Sequence, residues 1–145
     1  MKREFDDFVL FAEKGLSSAR MVEKYLGVEL FHERSGKPRV EGAKISLSDT
    51  CGVTLLAVLK GEGEIGVDAE KTDREPPAPL KDIFAWTRLE AYCKALGRGI
   101  TPRDVKNLTP RGIVAEEEID GMAVSGCGLA PAGRPWSAPL VFGVQ

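Results

Sequence analysis

The spacing of apolar and polar residues divides the chain into short helix-like and strand-like stretches. Ser17 to Gly27 predicts a short helix: a serine caps its start, Val22, Tyr25 and Leu26 give it one apolar side, and Gly27 stops it. From Ala43 to Leu47 apolar and polar residues alternate, the mark of a strand. Ser48 to Gly52 reads as a turn, and the run Val53 to Leu59 as a buried strand. Lys60-Gly61-Glu62-Gly63 is a second turn, after which Ile65, Val67 and Ala69 alternate with Gly66, Asp68 and Glu70.

The best helix is predicted over Asp82 to Leu96. At about 100° per residue, Ala85, Trp86, Leu89, Tyr92, Cys93 and Leu96 fall on one apolar face, and Gly97 ends it. Gly112 to Glu118, an Asp120-Gly121 turn and Met122 to Val124 then predict a hairpin, and a last strand is expected near Leu140 to Val144. Strands outnumber helices, so the class expected is α+β. Between these two series, Lys71 to Leu80 is charged and then proline-rich. Pro76, Pro77 and Pro79 lack backbone donors and fit neither helix nor sheet interior. An N-terminal lobe over 1–70, a linker over 71–80 and a C-terminal lobe over 81–145 are therefore expected, each lobe strand-rich with one packed helix, the two forming one compact unit.

Composition removes several classes of function. With 20 basic and 22 acidic side chains, neither half of the chain is basic enough to favour a nucleic-acid surface. The longest apolar run falls far short of the roughly 20 residues of a membrane-spanning helix. The first residues turn acidic where a secretory signal would be apolar, which points to the cytoplasm. Cys51, Cys93 and Cys127 are widely spaced with no CxxC, as expected of reduced thiols. His32 is the only histidine and sits in a polar stretch with no marked nucleophile near it, so it reads as an ordinary strand or surface residue. Chemistry here would run on carboxylates, lysines and a metal.

Asp68 and Glu70 are two residues apart on a strand and share one face. Two converging carboxylates repel unless a cation joins them, and oxygen ligands suit Mg²⁺; the alternative is a solvated strand face. Glu90 lies at the rim of the helix's apolar face with Lys94 one turn on, which is also the ordinary stabilising surface pair. Gly36-Lys37-Pro38 is a turn carrying a cation, and Gly97-Arg98-Gly99 closes the helix, which a plain C-terminal stop also explains.

The order of these motifs is more specific. Gly36-Lys37-Pro38, Ile45-Ser46-Leu47-Ser48-Asp49-Thr50, Ile65-Gly66-Val67-Asp68-Ala69-Glu70, and Trp86-Thr87-Arg88-Leu89-Glu90-Ala91-Tyr92-Cys93-Lys94 followed by Gly97-Arg98-Gly99 span 64 of 145 residues. The series resembles the 4′-phosphopantetheinyl transferases, above all the two-lobed type that activates carrier domains. The resemblance implies an α+β fold of that kind and Mg²⁺-dependent transfer of phosphopantetheine from coenzyme A to a serine of an acyl or peptidyl carrier protein. By the same resemblance Asp68, Glu70 and Glu90 would hold the metal, and Glu90 would accept the serine proton. Lys94 would meet the pyrophosphate, and Lys37, Ser48 and Asp49 would lie along the coenzyme. Asp49 stands where the family has a histidine, Leu89 where it has a lysine, and only 20 positions separate Glu70 from Glu90. Two other readings remain open: a shortened, non-catalytic relative that binds a carrier protein or coenzyme A, and a purely structural domain.

Overall fold

The structure is a computed structural model and describes residues 1–131; the strand expected near Leu140 to Val144 lies outside them. The fold is α+β. The chain opens with strands β1 (Lys2–Glu4) and β2 (Phe8–Lys14), followed by helix α1 (Ser18–Leu26). Ser17 caps this helix by accepting from the Arg20 amide, and Gly27 closes it at a left-handed φ of 67°. Two-residue strands β3 (Phe31–His32) and β4 (Pro38–Arg39) form a small hairpin. Strands β5 (Ile45–Thr50) and β6 (Val53–Leu59) come next, and all the pairings of the first sheet, ordered β1-β2-β6-β5, are antiparallel.

The turn expected over Ser48 to Gly52 is narrower than the sequence suggests. Ser48, Asp49 and Thr50 continue β5 and pair with Leu55, Thr54 and Val53, leaving only Cys51 and Gly52 at the tip with positive φ. β5 is the outer strand of its sheet, so Asp49 can stay exposed while its backbone remains in the ladder.

Strand β7 (Glu64–Lys71) precedes the proline-rich segment, yet it pairs along its whole length with β9 (Met122–Leu129) beyond it. β9 in turn pairs with β8 (Ile113–Ile119) through the Asp120-Gly121 turn, giving the second sheet the order β7-β9-β8. Between Lys71 and Ile83 there is neither helix nor strand. Helix α2 (Ile83–Leu96) starts at the Asp82 cap and ends at Gly97, and a short α3 (Pro102–Asn107) follows, held by a Thr101–Asp104 capping box.

The two sheets share a core. Phe8, Leu10, Leu55 and Ala57 of the first meet Ile65, Val67 and Val124 of the second, while Leu56 on the other side of β6 packs with Met21 and Val22 of α1. That double burial explains the unbroken apolar run of β6. α2 lies on β7 and β9 through Ala91, Tyr92 and Ala95. Its buried side therefore includes Thr87, Ala91 and Ala95, whereas Leu96, expected on the apolar face, is 43% exposed. Leu89, expected in the core, is 2% exposed. Among the described residues no helix is long and apolar enough to cross a membrane.

Candidate functional site

Three elements meet beneath one cavity. Val67 donates its amide to Ser46 Oγ at 3.0 Å, which fastens β7 against β5. On the other side, Gly66 brings the backbone of α2 down onto β7: a Cβ there would overlap the Ala91 carbonyl oxygen and lie 2.6 Å from the Ala95 nitrogen. This close approach lets Lys94, one turn after Glu90, reach across both strands. Its Nζ donates to Leu47 O and Val67 O at 3.0 Å each, and to Asp68 Oδ1 at 3.4 Å. Lys94 is thus committed to β5 and β7 and forms no ion pair with Glu90.

Asp68 is 4% exposed. Its Oδ1 accepts from Ser48 Oγ and Lys94 Nζ, each at 3.4 Å, while its Oδ2 is buried with no partner among the described residues. Burial pushes its carboxyl up to about 7; Lys94 opposes this, and the charges of Glu90 and Glu70 add to it. Glu70 accepts from Trp86 Nε1 at 3.3 Å through Oε2 and pairs with Arg74 at 2.6 Å through Oε1. Trp86, half-buried, is therefore a positioning contact for a carboxylate as well as a packing residue. Glu90 is half-buried too. Burial raises its carboxyl, Lys94 and Arg74 lower it, and Glu70 raises it further.

The cavity has a volume of about 350 Å³, and Lys37, Ser48, Asp49 and Lys94 all line it together with Gly97 and Gly99. Lys37 Nζ donates to Glu64 Oε1 at 2.9 Å and to Lys94 O at 3.4 Å, which ties the Gly36-Lys37-Pro38 turn to the end of α2. Asp68, Glu70 and Glu90 do not line the cavity; Asp68 joins it through Ser48 and Lys94.

His32 and Arg98 also line the cavity and were not singled out by sequence. His32 lies opposite Pro38 in the β3–β4 ladder, so two short strands flanking the Gly36-Lys37-Pro38 turn are the signal that finds it. Arg98 holds Asp104 through both terminal nitrogens, at 2.7 and 3.2 Å, and the Thr101-Pro102-x-Asp104 capping signature is the corresponding clue. Arg74 had no local signal, since its partnership with Glu70 forms in a turn after the strand.

The donor set suits a hard divalent cation in chemistry: every candidate is a carboxylate oxygen, and Asp68 Oδ2 is buried and unpartnered. As they stand, no three His, Cys, Asp or Glu side chains among the described residues gather as a metal cluster. Glu70 has both oxygens engaged by Trp86 and Arg74, whereas Glu90 accepts no hydrogen bond from a described residue. No protein-family model and no curated protein sequence matches this chain.

Proposed function

We propose that this chain is a shortened relative of the 4′-phosphopantetheinyl transferases, acting in the cytoplasm to move phosphopantetheine from coenzyme A to a serine of an acyl or peptidyl carrier protein. The observation that carries this reading is the meeting of four motifs distant in sequence. Lys37, Ser48, Asp49 and Lys94 surround one cavity beside Gly97 and Gly99, and Lys94 and Ser48 link that cavity to the buried Asp68.

Each residue has a distinct task. Lys37 and Lys94 present positive charge to the phosphates of a bound nucleotide, and the glycines leave backbone accessible beside it. Lys94 is held by two carbonyls and Asp68, so its charge is already oriented before the ligand enters. Glu90 accepts the carrier serine's proton on a carboxylate oxygen as the serine oxygen takes the pantetheine phosphorus and the remaining nucleotide leaves with the other phosphate. The raised affinity of Glu90 for a proton, caused by its burial, suits that role. Asp68 and Glu90, with Glu70, would hold Mg²⁺, which would neutralise charge on the pyrophosphate. Asp68 Oδ2 supports this assignment because a buried carboxylate oxygen without a donor needs a cation or a proton.

Calorimetric titration of the protein with coenzyme A, with and without Mg²⁺, tests the reading. Binding that strengthens with Mg²⁺ and is lost in Lys94→Ala is the expected result. No binding under either condition would overturn it.

A further inference from the structure

The cluster of Asp68, Glu70 and Glu90 is served by two cations of the chain itself. Lys94 reaches Asp68 from α2, and Arg74 reaches back from the segment after β7 to Glu70 Oε1 at 2.6 Å. Arg74 also feels the charges of Asp68 and Glu90, so its guanidinium acts on all three carboxylates. The two arrangements differ in permanence. Lys94 donates to two backbone carbonyls besides Asp68, so it is anchored whether or not its carboxylate is engaged. Arg74 is half-exposed and its one ion pair is with Glu70. A half-exposed guanidinium pair is weak and exchangeable. The buried, unpartnered Asp68 Oδ2 marks the cluster as a place where a cation is still wanted.

We infer that Arg74 is a built-in competitor for the divalent cation, holding Glu70 until the metal displaces it. This rests on the proposed function, which assigns the metal to these carboxylates. Arg74 then sets the metal affinity of the site. In the resting protein its charge lowers the repulsion among three carboxylates, and when the metal takes Glu70 the guanidinium is released to solvent at the edge of the site. A site with this latch binds metal only where the cation concentration is enough to displace an internal partner.

The test is Mg²⁺ titration by calorimetry, without coenzyme A, of four proteins: the unaltered chain, Arg74→Gln, Glu70→Gln, and both together. The expected result is that Arg74→Gln tightens Mg²⁺ binding by about tenfold or more in the unaltered background and by little when Glu70 is already glutamine. Equal affinity of the unaltered chain and Arg74→Gln would overturn the competition while leaving the metal site standing. An equal gain in both backgrounds would also overturn it, since that is a general field effect that does not pass through Glu70. Absence of Mg²⁺ binding in all four would overturn both the latch and the metal assignment beneath it. Thermal unfolding of the four proteins in EDTA checks that each is folded.

Discussion

Gly66 and Ala91 are in backbone contact: a single methyl group on Gly66 would overlap the Ala91 carbonyl oxygen and crowd the Ala95 amide, 2.6 Å away. The Asp68–Lys94 pair depends on this approach, because it is what brings the lysine of α2 within reach of both strand carbonyls and the carboxylate. Gly66→Ala forces α2 off β7. A stability loss of about 3 kcal/mol, at the upper end of overpacking effects, is expected in urea unfolding. An unchanged midpoint would mean that the helix does not sit on β7 this closely.

Leu89 and Leu96 occupy the same helix with opposite fates, one 2% exposed and the other 43%. Leu89→Lys buries a charge with no partner and is expected to cost about 3 kcal/mol or more, while Leu96→Lys changes stability by less than about 0.5 kcal/mol. Urea unfolding of both variants makes the comparison. The family's lysine at position 89 would therefore find no place in this chain as it is packed.

The contrast also shows how far the sequence can be read. Asp82 and Gly97 mark the ends of α2 because capping chemistry is local. The buried side of α2 is harder to read, because a helix lying on glycine needs small residues. Thr87, Ala91 and Ala95 carry little hydrophobic signal, while the large Leu96 is left outside. In β5, polar Ser48, Asp49 and Thr50 imitate a turn, since only the ladder to β6 makes them strand. The pairing of β7 with β9 joins residues more than fifty positions apart and has no local mark. Of the candidate site, Asp68 and Lys94 were legible as residues. Their contact, and the engagement of Glu70 by Arg74, are products of tertiary packing.

Asp68 gives the fold a pH dependence of known sign. Its carboxyl is raised from 3.8 to about 7 mainly by burial, so the folded state holds a proton that the unfolded chain releases. The stability tied to that proton is fully present below about 3.8 and is lost as pH rises through about 7, an effect of at most about 4 kcal/mol. In metal-free protein, stability is expected to fall between pH 5 and pH 8, and Asp68→Asn is expected to flatten the decline. Parallel slopes for the two proteins in urea unfolding would show that Asp68 is not the group responsible.

Asp49 lines the cavity with Lys37 and Lys94, and a carboxylate there repels a phosphate. Asp49→His is expected to tighten coenzyme A binding by about tenfold or more. Dephospho-coenzyme A, which lacks the 3′-phosphate, is expected to gain little. Calorimetry with both ligands checks this, and equal gains for the two would mean that Asp49 does not face that phosphate.

Transfer itself is the most direct test of the account. Purified protein is incubated with coenzyme A, Mg²⁺ and an apo carrier protein, and the carrier's intact mass is then measured. The account predicts a gain of one phosphopantetheine group, abolished by Glu90→Gln. A carrier whose mass stays unchanged under conditions where coenzyme A is bound would contradict it.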